Sequence, residues 1–528
     1  MSLRFPIAAV LVVTSISLAL ADDWAQFRGP AGGALADSSL PTEWAADKKI
    51  QWTAQIPGYG WSQPIIVGDK VFVTSAITAN QQRPQVGGFG GRGGGPGGFP
   101  PGGKGGSPPG KGDAPPAGKG PPGAEQGKAG PGGFGGKGGA GGFGGGRGGF
   151  GQSRAPDAVY QWKVFCLDRA TGKVLWDQVA FEGKPTIGIQ GSNTYASQTP
   201  VSDGERVYAY FGMTGIFCFD LAGKPVWNKN LGSFPVAFGP GSSPALDSER
   251  VFVQCDNDEQ SFLVALDKRT GDEVWRVKRE EGSNYATPYV WKNNLRTELV
   301  TSGSKVRSYD PATGKLLWEY ANFGGAVKPS PVGDPERLYV CTSGGGGFGP
   351  PGGKGPGRPD APGGAQQPPA RGPGGPGGGG RAANSPLVAI KAGATGDISL
   401  SSTETSNAGI AWSISPGGGG MASPLVYQGC VYVLQQNGGI IGCYDALTGQ
   451  QHYRQRLDGA SEFWSSPWAA GGKVYCLDSD GRTFVLDAGS KLKVLATNKL
   501  DDNFRSSVAL APRQILFRGV DRLYSVAE

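Results

Sequence analysis

The chain has 528 residues and a net charge of +7, with 94 glycines, 42 prolines and a single histidine. The glycine far exceeds the ~7% of ordinary proteins and fills two blocks, roughly 84–153 and 344–383. The charge sits there too: nine Lys/Arg against two Asp/Glu in 81–155, and four against one in 344–383, leave the remainder at −3. One histidine rules out a multi-histidine zinc site. His452 falls at the start of an outer strand, away from any channel, which argues against Ser-His-Asp catalysis. Strings such as GGKG lie in low-complexity sequence and make no phosphate loop.

In chain order, residues 1–21 pair a basic Arg4 with an apolar run and end in Ala19-Leu20-Ala21. They predict a secretory signal peptide cut after Ala21. The run falls short of the ~20 residues of a membrane span, and no other stretch approaches that length. An exported, periplasmic or extracellular protein without a membrane span is expected. Residues 22–48 form an N-terminal extension, and KIQWTAQI (49–56) reads as a strand with an aromatic at Trp52.

From Trp61 onward the chain repeats. Each unit opens on a small-polar-proline step and an apolar run, then turns into a V-[FY]-V strand: WSQPIIVGDKVFVTS at Trp61, SQTPVSDGERVYAYF at Ser197, GSSPALDSERVFVQC at Gly241 and YATPYVW at Tyr285. KPSPVGDPERLYVCTS follows at Lys328, MASPLVYQGCVYVLQ at Met421, WSSPWAAGGKVYCLD at Trp464 and a degraded RSSVALAPRQILFRG at Arg505. Pro200, Pro244, Pro288 and Pro331 are spaced by 43 or 44 residues, as are Pro424 and Pro467. That is the period of a four-stranded propeller blade.

A second phrase recurs in the same frame: CLDRATGKVLW (166–176), CFDLAGKPVW (218–227), ALDKRTGDEVW (265–275), SYDPATGKLLW (308–318) and CYDALTGQQHY (443–453). It falls between the third and fourth strands. Asp168, Asp220, Asp267, Asp310 and Asp445 are expected to accept turn N–H groups. Gly172, Gly223, Gly271, Gly314 and Gly449 supply the φ > 0 position. Trp176, Trp227, Trp275, Trp318 and Tyr453 open the outermost strand, where a flat side chain packs across to the next blade. Seven cysteines in an exported chain admit disulfides. Cys166, Cys218 and Cys443, however, share a slot with Ala265 and Ser308, so small buried hydrophobes are expected there.

The long intervals Pro64–Pro200 and Pro331–Pro424 hold the glycine-rich blocks, as insertions over 81–156 in unit one and 344–384 in unit five. Without apolar periodicity they are expected to be disordered. Both leave after the second strand and so emerge on one face, half a ring apart. The last unit supplies three strands, ending on RLYSV (522–526), and 49–56 is the missing fourth. The predicted fold over 49–528 is all-β, an eight-bladed β-propeller of four-stranded antiparallel blades. Pairing of the N- and C-terminal strands closes it and removes open edges.

The Asp-x-x-Thr-Gly-x-x-x-Trp phrase in a frame of ~43 residues resembles the pyrroloquinoline-quinone (PQQ) repeat, the tryptophan-docking propeller blade. The resemblance covers nearly all of 49–528 outside the insertions. That family includes quinoprotein alcohol dehydrogenases and the propeller subunit of the outer-membrane barrel assembly machine. It also includes exported propellers that open with a phrase like DWAQFRGP (23–30). The resemblance implies the fold, whereas function sits in the site. A quinoprotein dehydrogenase would bring carboxylate and amide ligands for Ca²⁺, an aspartate base and a pair of adjacent cysteines. No two cysteines adjoin in this chain, and no such site is recognisable. No cofactor or metal is expected, with PQQ and Ca²⁺ the alternative that the resemblance admits.

Three positions before each proline, the frame predicts the channel-mouth residues: Trp61, Ser197, Gly241, Tyr285, Lys328, Met421, Trp464 and, aligned on Val508, Arg505. Trp61, Tyr285, Lys328, Trp464 and Arg505 are the candidate binding residues, aromatics and cations suited to an anionic or planar ligand or a peptide. Asp501, Asp502 and Glu462 lie just upstream and come near the mouth. The sequence thus predicts an exported, monomeric binding or scaffolding module. It would meet an envelope or extracellular protein, or an acidic polymer, through the insertion-bearing face. A PQQ-dependent oxidoreductase is the alternative. Arg-Gly-Gly strings also suit nucleic acid, which export disfavours.

Overall fold

The computed structural model describes residues 23–35, 38–85, 154–321, 323, 327–342 and 385–528. The signal peptide expected over 1–21, and most of the insertions expected over 81–156 and 344–384 with their predicted disorder, lie outside the described residues.

Eight sheets stand radially, each ordered from the channel outward. Blade 1 is Ile65–Val67, Lys70–Ile77, Tyr160–Asp168 and Val174–Gly183. Its second and third strands are buried almost throughout, because neighbouring blades cover both faces. Its outer strand reads VLWDQVAFEG and alternates exposed with half-buried positions, the period-2 pattern of a one-sided strand. Blade 8 is Ala509–Ala511, Gln514–Arg518 and Arg522–Ala527, with Ile50–Gln55 as its outermost strand. Thr53 lies antiparallel opposite Tyr524, so the two ends of the chain close the ring as the repeat count predicts. Two blades gain a short parallel fifth strand: Ala34–Leu35 on the inner edge of blade 7, and Gly396–Asp397 on the outer edge of blade 4. Among the described residues no helix is long and apolar enough to cross a membrane.

The repeated phrase forms the lower rim. Asp168 Oδ1 accepts the Thr171 N–H at 2.8 Å, and Asp220, Asp267, Asp310 and Asp445 hold their turns in the same way. Gly172, Gly223, Gly271, Gly314 and Gly449 take φ between 71° and 90°. Each glycine is also the seat of an aromatic ring from the preceding blade. A Cβ on Gly172 would stand 2.5 Å from the Trp52 indole, and one on Gly271 2.6 Å from Trp227. The docked indoles donate to a carbonyl of the same turn, as in Trp52 to Arg169 O at 2.9 Å, Trp176 to Leu221 O at 3.1 Å and Trp227 to Lys268 O at 3.0 Å. Trp275 follows the rule with Pro311 O at 3.0 Å. Tyr453 is buried among residues of blades 6 and 7, including Cys476 and Leu486.

Trp318 breaks the pattern. It is buried against Ala394 and Ile398 of blade 5, but its Nε1 donates back to Glu298 of its own blade at 2.6 Å. The cause is the blade 5 connection 392–409, which replaces the tight turn and lays Gly396 opposite Trp318. The same lengthening hides a docking residue from the repeat frame: Trp412 seats on Gly449 and donates to Ala446 O at 3.1 Å. Unit seven has Ala496 where the aromatic belongs, opposite Val485. Here the N-terminal extension supplies the ring. The Trp44 N–H donates to Asn498 Oδ1 at 2.9 Å, and its indole lies 5.7 Å from Phe517 of blade 8.

The channel wall has a device of its own. From unit two onward, the residue before the proline (before Val508 in the last unit) uses its side-chain hydroxyl to accept the backbone N–H of the equivalent residue one blade earlier. Gln63 N–H goes to Thr199, Thr199 to Ser243, Ser243 to Thr287 and Thr287 to Ser330. Ser330 N–H goes to Ser423, Ser423 to Ser466 and Ser466 to Ser507, all seven bonds between 2.9 and 3.1 Å. These buried donors have no other backbone partner across blades, and the girdle satisfies them. All seven cysteines are free and buried, and burial pushes the Cys166 and Cys218 thiols up to about 12.

Candidate functional site

The upper mouth is built by the loops that carry the chain from each outer strand to the next inner one. Both insertion roots rise on that face, between Ile77 and Tyr160 in blade 1 and between Cys341 and Leu387 in blade 5. The ring predicted from the frame resolves into two clusters. Entering blades 7, 8 and 1, the Arg505 guanidinium lies 4.0 Å from the Trp464 ring centroid and 6.0 Å from that of Trp61. Entering blades 4 and 5, Lys328 Nζ lies 5.8 Å from the Tyr285 ring centroid, and Tyr285 packs on Phe238 at 5.9 Å. Ser197, Gly241 and Met421 occupy the intervening steps.

Hydrogen bonds fix these side chains. Trp61 Nε1 and Arg505 Nη1 both donate to Ser192 O, each at 3.1 Å. Trp464 Nε1 donates to Glu462 Oε2 at 2.9 Å, and the Tyr285 hydroxyl accepts the Phe238 N–H at 3.2 Å. Burial pulls Arg505 down to about 10, against the pull of Glu462, and lowers Lys328 as well. Arg505 remains a cation at neutral pH, partly stripped of water, which is where a cation–aromatic contact or an anionic partner gains most.

The first described residues of the unit-one insertion are pinned over the first cluster. Arg83 pairs with Asp502 at 3.1 Å and with Asp521 at 3.7 Å, Gln85 N–H donates to Gly191 O, and Gln85 O accepts from Arg505. Asp502 is therefore an anchor for the insertion root that also accepts the Tyr524 hydroxyl, while the Asp501 side chain is 81% exposed. The frame did not foresee this, since a salt bridge across 419 residues leaves no local signal.

A quinone–calcium pair would need several carboxylate or amide oxygens converging on one point. The acidic side chains near the mouth are instead engaged by protein cations and donors. Asp256 and Glu281 converge on Arg279 and Asn284, whose cation and amide donors fill the space between them, and Glu281 also takes Arg307 and the Ser304 N–H, while Glu462 is held by Trp464 and Asp502 by Arg83. Among the described residues no three Asp, Glu, His or Cys side chains gather into a metal site. The donor set of the described residues leaves no open point for that cofactor pair.

The family profile described as outer membrane protein assembly factor BamB matches residues 160–347 and 360–495. The chain belongs to that PQQ-repeat family. It is 27% identical over 200 residues to the quinoprotein ethanol dehydrogenase of Pseudomonas putida, a match covering 35% of this chain and 30% of that enzyme. It is 28% identical over 189 residues to the quinoprotein alcohol dehydrogenase PedH of the same species, covering 33% and 29%. The chain thus spans less than a third of either relative. By fold it is similar to a europium-containing methanol dehydrogenase, with a TM-score of 0.52, 10% identity and coverage of 96% of this chain and 98% of that one. These likenesses establish a PQQ-repeat propeller related both to an assembly factor and to quinoprotein dehydrogenases.

Proposed function

We propose that this propeller is an exported binding module of the cell envelope, and that its upper mouth docks a protein carrying acidic and aromatic side chains. One observation carries the proposal. The slot three residues before each proline is shared by all units, yet it holds eight residues of no common type. Five of them gather as the clusters Trp61–Arg505–Trp464 and Tyr285–Lys328. A repeat that is uniform elsewhere and varied here is free of a packing demand at this slot. Partly desolvated aromatics and cations are the composition of binding hot spots. The insertions are rooted on the same face and their sequence is basic, which favours an acidic partner and its faster encounter.

The test is affinity capture from envelope extract with the mature protein and with a Trp464→Ala/Arg505→Met variant of unchanged melting temperature. The proposal expects one salt-sensitive partner retained by the native protein and lost by the variant. Equal capture by both would count against it.

The quinoprotein relatives favour a second reading, a PQQ-dependent dehydrogenase. Incubation with PQQ and Ca²⁺ that gives a bound-quinone spectrum and dye reduction would support that reading over the first.

A further inference from the structure

The N-terminal extension crosses the floor of the channel. Trp24 O accepts the Ile66 N–H of blade 1, Ala25 O accepts Ser202 of blade 2 and Gly33 O accepts Ala469 of blade 7. Between these points lies Arg28, 4% exposed. Its Nε, Nη1 and Nη2 are all buried and have no hydrogen-bond acceptor among the described residues, and no carboxylate pairs with it there. Other buried arginines show how the fold treats such a group. Arg279 is bound by Asp256, Thr301 and Tyr309, and Arg518 by Ser62 and the Thr74 carbonyl. Arg28 alone of these three lacks any acceptor.

Its placement is built rather than incidental. Arg28 and Gly29 both take left-handed backbone, φ 63° and 64°, a conformation that costs an arginine energy. Gln63 Oε1 accepts the Arg28 N–H at 3.0 Å, and the Trp24 ring fills the space where a Cβ on Gly29 would stand. Gln63 Nε2, on the amide that holds this backbone, is a second buried donor without an acceptor. Arg28, Tyr289, Thr287 and Ser330 line one cavity of about 30 Å³. The Thr287 and Ser330 hydroxyl oxygens already accept girdle N–H groups, which leaves their protons to donate inward. Burial pulls Arg28 down to about 10 but leaves it cationic at neutral pH. A buried charge is costly unless paired and hydrogen-bonded. Gln63 and the girdle hydroxyls supply donors where an acceptor with negative charge is required, in a space for one or two water-sized particles.

We propose that this axial cavity binds a single monovalent anion of halide size, held by the Arg28 guanidinium with hydroxyl donors of the channel girdle. The anion would tie the N-terminal extension to the ring.

The test uses the full mature chain. Crystals grown in bromide should show an anomalous peak within about 3.5 Å of the Arg28 guanidinium, the reach of a charge-assisted contact. In solution, the melting temperature should rise with the logarithm of chloride or bromide concentration at constant ionic strength, as mass action requires of a ligand of the native state. It should not rise with gluconate, which is too large to enter. Arg28→Met should abolish the difference between chloride and gluconate. An ordered water with no bromide signal at Arg28, or a native protein indifferent to halide, would overturn the proposal. If Arg28→Met does not fold, the bromide map of the native protein decides the matter.

Discussion

The lower rim and the upper mouth are made by the same units, yet they obey different rules. Below, the turn aspartate, the left-handed glycine and the docked aromatic recur because every blade must solve the same problem of joining its neighbour. Above, the position three residues before each proline holds tryptophan, serine, glycine, tyrosine, lysine, methionine, tryptophan and arginine in turn. Repetition marks a structural demand, and its breakdown within an otherwise faithful repeat marks where selection is free to act on something else.

Stability measurements should separate the two regions, and the largest effects belong below. Trp275→Ala removes a docked indole and its bond to Pro311 O, and should cost about 3–5 kcal/mol in chemical denaturation. Gly271→Ala should cost more than about 2 kcal/mol, because φ is 77° and the new Cβ meets Trp227. Gly396→Ala shares the left-handed backbone, φ 69°, but finds nothing within 4 Å, so its cost should stay near 1–2 kcal/mol. Equal losses at the two glycines would mean that backbone strain, and not docking, holds the rim.

In the girdle, Ser330→Ala leaves the Thr287 N–H without its acceptor and should cost about 1–3 kcal/mol. Smallest is an acid effect. The Thr171 hydroxyl and N–H hold the exposed Asp168 carboxyl below its usual range. Its stabilisation is therefore complete above the ordinary carboxylate pKa and fades as pH falls through the lowered value. Asp168→Asn should accordingly lose slightly less melting temperature than the native protein between pH 5 and pH 3.

How much of this was legible in the sequence follows the same division. Asp168, Gly172 and Trp176 announce themselves because a tight turn fixes both residue type and spacing. The pairing of Ile50–Gln55 with Arg522–Ala527 was equally readable, since a blade short of one strand and a strand short of a blade have a single solution. Trp412 escaped because 392–409 stretches the spacing that identifies the slot, and Trp318 was assigned the common role although that same stretch removes its turn. Trp44 and Arg28 escaped for a different reason. They belong to a segment outside the repeat, and their partners Asn498, Phe517 and Gln63 are set only by the closed ring. The mouth was legible as a list of residues. Its division into two clusters, and the pinning of Arg83 on Asp502, depend on loop paths that no periodicity encodes.

The central claim is that the upper mouth, and not the docking rim, meets a partner. Site-specific photo-crosslinking tests it most directly, with a crosslinker placed at Trp464 in one protein and at Val174, exposed beside a rim turn, in another. The account predicts a discrete crosslinked species in the cell envelope from position 464, weakened by Arg505→Met, and none from position 174. Crosslinks from 174 alone, or of equal yield from both, would contradict it.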